Sequence, residues 1–484
     1  MMGAAERIIP LAALISVAAL LWPGSVPLAG GELKALGRPA GKVAGVRGVP
    51  GELSQQPIVN LLGLLTNRDK QQRRAAYREL KRRRDPRAVA GLVELLRIRK
   101  YREYGEAVKL LREFTGENFG NNWVAWSEWL TKKESVELPP QFLAFKAALF
   151  RVIDPAYGKF LYPGVPLRIR VEEIIWGGVK KDEIPALTQP KLVQADEADY
   201  LRGRDRVFGV EINGDARAYP LRIMNWHEMV NDVVGGQPIS LAYCTMCRSG
   251  VLFATRVEGK TFTFGSSGLL YRSNKLMYDH QTESLWMQLM GEPVAGRLAE
   301  SGIKLKVLPV VVTTWKEWRR KHPKTQVLSL ETGYKKDYSH HELYSKYFAS
   351  PDPWFPVRER DKRVKPKEEV FTLVVNGRPK AYVVRKLRGK QVVNDTLGGE
   401  KIVLVTNGKT GAVRAYRRGE RRFEARKSSD EVADSQDGSV WSVREAALVA
   451  RSSGERLPRV AGHVAYWFAW YLFYPQTLLY AGKE

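Results

Sequence analysis

The spacing of apolar residues divides the chain into a helical N-terminal part and a β-rich remainder. Between residues 52 and 135, apolar positions recur every three or four residues, which predicts short amphipathic helices. From Pro139 to Asp154 the pattern predicts an amphipathic helix that bridges to the main domain. After it the pattern changes to near-alternation interrupted by glycine or Asn-Gly turns, which predicts strands and hairpins. The chain is therefore expected to be an α+β protein, with HEAT-like helical repeats preceding a mostly antiparallel β region that contains short helices.

The β-rich region carries the same pattern twice, first at a constant offset of 163 positions and then at shorter offsets after small gaps. The matched pairs are Asn213 and Asn376, Tyr219 and Tyr382, Asn231 and Asn394, Asp232 and Asp395, Gly235 and Gly398, Trp286 and Trp441, and Trp318 and Trp470. Turn glycines and tryptophans at matched spacing indicate a shared fold. We expect a duplicated domain in which these residues mainly hold the structure together.

These patterns predict an order of segments along the chain. The order is a signal peptide (1–30), a linker (31–51), a HEAT-like helical domain (52–135), a first β-rich repeat (136–333), a second linker (334–369) and a second, degenerate repeat (370–484). Inside the first repeat, RIMNWHEMVND is expected to be a short helix with His227 and Asn231 on one face. The stretch TTWKEWRRK is expected to be a helix that ends before Pro323.

The first 30 residues have the pattern of an export signal. Arg7 precedes an apolar run from Ile8 to Trp22, and small residues follow near Ala29. The apolar run is short for a membrane span, although an uncleaved N-terminal anchor is the alternative. The pattern predicts an extracytoplasmic protein, either periplasmic or secreted.

The net charge of +26 is the unusual feature of the composition. Such a charge is typical of proteins that bind nucleic acid, anionic membranes or acidic polymers, and export argues against nucleic acid. The basic helices, which include Arg73, Arg74 and Lys81, are then candidates for docking to an anionic cell-envelope polymer or a membrane surface. The simpler interpretation is a solvated helix face. The sequence leaves the oligomeric state open.

The candidate chemistry lies in the first repeat only. Its Cys-x-x-Cys holds the two cysteines of the chain, Cys244 and Cys247, and His227 lies seventeen residues upstream. At the aligned positions the second repeat has Asn407, Thr410 and Lys390. The scaffold is repeated and the candidate ligands are not, so we expect the Cys/Cys/His set to be specific to the first repeat.

Three chemistries suit this set. The pair can cycle between dithiol and disulfide, it can form an inert disulfide, or it can bind copper or zinc with help from neighbouring ligands. Those candidate ligands are His227, His280, Met246 and Met277. A thioredoxin-like site is disfavoured because the motif follows a strand and does not open a helix.

Two other classes of function compete with these. A hydrolase would use His227 and Glu228 with Asp232, but Asp232 has a counterpart in the repeat that lacks the histidine. A non-catalytic cell-envelope scaffold would keep the cysteines as a structural disulfide. Adjacent histidines at 340 and 341 make a poor metal site, because neighbours in sequence do not share a helix face. Whether the protein is an enzyme stays open.

Several motifs in order resemble a bacterial family known as domain of unknown function 3179. They are IPALTQPKLV, RAYPLRIMNWHEMVND, FGSSGLLY, MYDHQTESLWMQLMGEPVAG and WFAWYLFYPQT, and they extend from about residue 168 to 480. The resemblance implies an exported bacterial protein of uncharacterised activity. The family usually has Cys-Pro-Leu-Cys and Tyr-Asp-Arg, where this chain has Thr245-Met246 between the cysteines and His280 after Asp279. The second departure adds a candidate ligand.

Overall fold

The computed structural model describes residues 53–98, 104–133, 136–339 and 343–482. The predicted signal peptide, the linker at 31–51 and the pair His340-His341 lie outside these residues. The chain divides into two compact units, one ending at Arg84 and one beginning at Asp85. In the described part of the chain, no helix has both the length and the apolar character needed to cross a membrane.

Six of the eleven described α-helices precede the first strand, as the apolar spacing predicts. The helices are α1 (Ile58–Leu64), α2 (Lys70–Arg83), α3 (Ala88–Arg97), α4 (Tyr104–Thr115), α5 (Trp123–Lys132), α6 (Phe142–Ile153), α7 (Leu221–His227), α8 (Trp315–Lys321), α9 (Ser345–Ala349), α10 (Val384–Lys390) and α11 (Trp467–Phe473). Asp69 begins α2 by accepting a hydrogen bond from the backbone N–H of Gln71 at 2.8 Å. Within the second unit, Arg97 at the end of α3 donates to the Trp176 carbonyl at 3.0 Å and joins the helices to the first strand.

Twenty-nine strands follow in the described residues, nearly all of them paired antiparallel. In the first half they are β1 (Ile174–Trp176), β2 (Leu187–Thr188), β3 (Leu192–Gln194), β4 (Arg206–Ile212), β5 (Asp215–Pro220), β6 (Met229–Val234), β7 (Gln237–Cys244), β8 (Ser249–Ala254), β9 (Arg256–Val257), β10 (Lys260–Thr261), β11 (Phe264–Tyr271), β12 (Asn274–Asp279), β13 (Leu285–Met287), β14 (Glu292–Ala295), β15 (Lys306–Leu308), β16 (Val311–Thr314) and β17 (Gln326–Leu328). In the second half they are β18 (Glu369–Val375), β19 (Arg378–Val383), β20 (Val392–Leu397), β21 (Glu400–Thr406), β22 (Val413–Arg417), β23 (Phe423–Ala425), β24 (Glu431–Asp434), β25 (Val440–Val443), β26 (Ala447–Ala450), β27 (Arg456–Val460), β28 (His463–Tyr466) and β29 (Leu478–Tyr480).

The two halves have matching sheets. The order β16-β4-β5-β17 of the first half corresponds to β28-β18-β19-β29 of the second, and in both the last pair is parallel. The order β15-β8-β7-β6 corresponds to β27-β22-β21-β20. The first half adds one strand to each sheet, β3 at the edge of the first and β2 at the edge of the second. These added strands become important for the candidate site below.

The residues that recur along the sequence make the same hydrogen bonds in each half. Asn231 bridges to Phe264 through both its amide nitrogen and its oxygen at 2.9 Å, and Asn394 bridges to Phe423 in the same way at 2.8 and 2.9 Å. The indole of Trp318 donates to Thr325 at 3.0 Å. These side chains therefore have the structural role that their spacing predicts.

Each half buries its core between two sheets and a helix. In the first half, Phe208 and Tyr219 pack against Leu241 and Leu252 of the neighbouring sheet. Trp318 of α8 covers the other face of the β4–β5 pair. In the second half, the corresponding helix α11 places its tryptophans against β18 and β19. The apolar C-terminal stretch is thus a buried seven-residue helix.

The halves contact each other reciprocally. Strand β28 of the second half contacts β8 of the first, and β16 of the first half contacts β22 of the second. Between them, Arg206 pairs with Glu369 at 2.9 Å, and these two residues stand 163 positions apart. A residue that pairs with its own counterpart lies near a local two-fold relation, as in the self-complementary interface of a symmetric dimer.

Candidate functional site

The two cysteines lie side by side in the first half. Cys244 ends β7, and Cys247 ends the short 3-10 turn Thr245–Cys247 that follows it. Arg248 comes directly after this turn and lies in the left-handed region at φ 53°. Both are free thiols and both are buried, Cys244 being 4% and Cys247 0% exposed. The Cys247 sulfur also lies 3.1 Å from the Ser273 carbonyl, to which its thiol donates.

The surroundings keep the Cys247 thiol protonated. Burial raises the pKa of Cys247 well above its ordinary value, and a hydrogen bond with the Cys244 side chain raises this pKa further. The nearby Glu228 carboxylate acts in the same direction. The site therefore favours uncharged sulfur and disfavours a thiolate at Cys247.

A buried ion pair lies beside the thiols. The Lys275 ammonium is 2.8 Å from the Glu228 carboxylate, and the two side chains are only 4% and 11% exposed. Close by, the side-chain oxygens of Asn274 and Thr245 are buried and lack a hydrogen-bond partner among the described residues. Burying charged and unsatisfied polar groups costs free energy, so their presence requires an explanation other than stability.

The second half shows that the fold does not require these groups. Its backbone repeats the same turn: Tyr243 N–H donates to the Glu228 carbonyl at 2.7 Å, and Thr406 N–H donates to the Gln391 carbonyl at 2.7 Å. Glu228 and Gln391 also share the left-handed conformation, with φ of 55° and 62°. The side chains nevertheless differ, since Gln391, Asn407 and Thr410 replace Glu228, Cys244 and Cys247, and Asp430 replaces Lys275. The two thiols and the Glu228–Lys275 ion pair are therefore specific to the first half.

A segment of the second predicted linker covers the cysteine turn. The Tyr347 hydroxyl donates to the Met246 carbonyl at 2.5 Å, and the Lys367 ammonium lies 3.8 Å from the Tyr347 ring centre. The Arg248 guanidinium lies over the Phe348 ring at 4.5 Å. This part of the linker is therefore ordered structure that packs against the cysteine turn.

The structure gives His227 a different neighbourhood from the one predicted. Helix α7 ends at His227, because Glu228 turns into the left-handed region, so Asn231 lies on β6 and the predicted shared helix face is wrong. The ring Nδ1 of His227 lies 2.8 Å from the Pro185 carbonyl and Nε2 lies 2.5 Å from the Tyr338 hydroxyl. Burial lowers the pKa of His227 to about 4, so its ring is neutral at pH 7.

The other predicted ligands also lie apart from a metal set. Met277 is buried on β12, opposite Trp286, and His280 follows that strand, where its Nδ1 lies 2.9 Å from the Thr263 hydroxyl. Among the described residues, no group of three or more His, Cys, Asp or Glu side chains is arranged to hold a metal ion. Both ring nitrogens of His227 are engaged, so a tetrahedral Cys₂His zinc set does not fit this arrangement.

His280 instead lines an open cleft of about 670 Å³. The cleft is lined by residues 185–191, by residues 331–334, and by Asp182 and Tyr278. His227 ties these lining segments together: it bonds the Pro185 carbonyl on one side, and on the other the Tyr338 hydroxyl, which lies 2.7 Å from that of Thr332. Sequence reasoning missed this cleft and the Glu228–Lys275 pair. A lysine within the apolar strand NKLMY was the available signal.

Comparison with known proteins gives one result. The family model described as Protein of unknown function (DUF3179) matches residues 181–477. No curated protein and no solved structure matches the chain. The match covers both halves of the β-rich region, including the cysteine turn and the cleft. The chain therefore belongs to the DUF3179 family, in agreement with the resemblance in its motifs.

Proposed function

We propose that the first half carries a redox centre in which Cys244 and Cys247 cycle between dithiol and disulfide. The observation that supports this most is the adjacency of two buried, hydrogen-bonded thiols at a turn that the second half builds without them. Dithiol and disulfide are both uncharged. The buried site can therefore hold either state without gaining or losing charge.

The reaction proposed is exchange with an external disulfide. The Cys244 sulfur, the less completely covered of the two, loses its proton and attacks one sulfur of that disulfide, which releases the other sulfur as a thiol. Cys247 then loses its proton, attacks the mixed disulfide and releases the second thiol. The two electrons and two protons of the dithiol end on the external disulfide, and the Cys244–Cys247 bond forms.

Single-cysteine variants test this assignment directly. The full chain, Cys244→Ser and Cys247→Ser are each treated with oxidised glutathione, and intact mass is measured. We expect Cys247→Ser to retain glutathione on Cys244, Cys244→Ser to stay unmodified, and the wild type to lose two hydrogens without adduct. Thiols that stay reduced in the wild type would contradict redox cycling. A matching equivalent of copper would favour the soft-metal alternative, and an irreducible disulfide would favour a scaffold.

We also propose that the two β-rich halves arose by duplication and that the preceding helices are HEAT-like. The matching strand orders and paired asparagine bridges support the duplication. Six consecutive short helices support the second part of the proposal. Separate expression of residues 370–484 tests the duplication, because an independent repeat should show cooperative unfolding when isolated.

We further propose export and contact with an anionic surface. The charged and apolar pattern of residues 1–30 supports export, and determination of the N-terminal residue of the purified protein tests it. Of the cations named in the sequence, Arg74 and Lys81 are exposed on α2 and support binding to an anionic cell-envelope polymer or membrane, whereas Arg73 is buried. Sedimentation with phosphatidylglycerol vesicles should decrease steeply between low and high salt. Binding that ignores salt would contradict an electrostatic contact.

A further inference from the structure

The open cleft is independent of the cysteine centre and has its own chemistry. It is formed around β2 and the residues that lead from β2 into β3, the two strands that the first half adds to the shared sheet plan. At the positions of Tyr278 and His280 the second half has Ala433 and Ser435. The cleft, like the cysteine centre, is therefore absent from the scaffold that the halves share.

Each charged side chain that lines the cleft is paired with an opposite charge. Lys191 pairs with Glu331, and Lys181 pairs with Asp182 at 2.5 Å. The Tyr278 hydroxyl donates to the same Asp182 carboxylate at 2.6 Å. Burial lowers the pKa of His280, which keeps its ring neutral at pH 7. A surface without net charge has little preference for anions or cations and suits a neutral polar ligand.

The cleft offers both an aromatic wall and hydrogen-bonding groups. Tyr334 lines the cleft and is 45% exposed, so part of its ring is open to a ligand. The Nδ1 of His280 faces Thr263, and its Nε2 has no hydrogen-bond partner among the described residues. Gln189, also on the lining, has a left-handed backbone at φ 49°, a strained conformation that collects at functional sites.

An extended peptide fits the cleft poorly. Strand β2 is only two residues long, and the lining segment that contains it includes Pro185 and Pro190. Proline lacks a backbone N–H, so the segment offers few donors for a strand that pairs with it. The volume of about 670 Å³ lies within the usual range for small-molecule sites, roughly 300–1,000 Å³.

We propose that the cleft bounded by residues 185–191 and 331–334 binds a neutral carbohydrate. The apolar face of a sugar ring stacks on Tyr334, and its hydroxyls bond to the free lone-pair sites of Asp182, to Nε2 of His280 and to the Gln189 amide. His227 is a positioning residue, since its two hydrogen bonds hold the lining segments together.

The test uses the full chain and three neutral probes: chitotriose, maltotriose and cellotriose. Calorimetry should show millimolar or tighter binding of at least one probe. Tyr334→Ala and His280→Ala should each weaken that binding by about tenfold or more. Val374→Ala, which removes a side chain of similar exposure (43%) in the second half, is the control and should bind as the wild type does.

The outcomes separate the proposal from its rivals. Failure of all three neutral probes at millimolar concentration overturns it, as does binding that survives both cleft substitutions. Binding of inorganic phosphate or of a charged sugar in preference to the neutral probes also overturns it. Because Cys244→Ser should leave sugar binding unchanged, failure of the redox proposal is distinguishable from failure of this one.

Discussion

The neutral, buried imidazole of His227 should make the protein sensitive to acid. In the unfolded chain a histidine takes up its proton near pH 6.5, whereas burial lowers the pKa in the folded protein to about 4. As pH falls between these values, the unfolded state gains a proton that the folded state excludes, so stability is lost. This pKa difference corresponds to a loss of about 3 kcal/mol in the free energy of unfolding, and the loss is complete below pH 4.

The substitution His227→Gln isolates this effect. A glutamine amide can donate to the Pro185 carbonyl and accept from the Tyr338 hydroxyl, as the imidazole does, but it does not titrate. Urea unfolding followed by circular dichroism at pH 7, 6, 5 and 4 should show a loss of stability in the variant that is about 3 kcal/mol smaller. Burial also lowers the pKa of His463 to about 4. Because His463 is present in both proteins, its contribution to the pH dependence cancels in the comparison. An identical pH dependence for wild type and variant would refute the reasoning.

Two further predictions concern the buried ion pair and the packing of the first half. Lys275→Met should destabilise the protein by about 3–5 kcal/mol, because Glu228 is left charged and buried, and adding Glu228→Gln should recover most of that loss in thermal unfolding. A double variant no more stable than Lys275→Met would contradict this account. Gly209→Ala should cost about 1–3 kcal/mol, because its Cβ would lie 2.3 Å from the Trp318 ring, whereas Gly389→Ala, a helix glycine with open space around it, should stabilise by about 0.5–1 kcal/mol. Equal melting temperatures for the two glycine variants would show that the Trp318 contact is not tight.

The residues that hold the scaffold together could be predicted because the matched spacing in the two halves acts as an internal alignment. Asn231 and Asn394 recur at a fixed offset, and each bridges the corresponding pair of strands in its own half. The pattern around Trp318 predicts a helix, and in the structure the Trp318 ring packs on the β4–β5 pair. Recurrence of a side chain at matched positions of the two halves thus indicates that the fold needs it. The sheet order could not be predicted, because pairings such as β17 with β5 join strands distant in sequence.

Only part of the candidate site can be predicted from the sequence in this way. Cys244 and Cys247 lie together as their spacing implies, since a single turn separates them. Sequence distance alone groups His227 with the cysteines, but Glu228 turns into the left-handed region after the helix, and the His227 ring bonds Pro185 and Tyr338 instead. The partner of Glu228 is Lys275, 47 positions later. Such contacts depend on tertiary packing, which local patterns do not encode.

The reduction potential of the Cys244–Cys247 pair tests the central claim most directly. The full chain is equilibrated with glutathione or dithiothreitol buffers, trapped by alkylation, and the oxidised fraction is read by mass. A cycling centre should titrate as a two-electron couple between about −120 and −270 mV, the range of thiol–disulfide oxidoreductases. A pair that stays oxidised below about −300 mV would be a structural disulfide, and a pair that never oxidises would not be a redox centre.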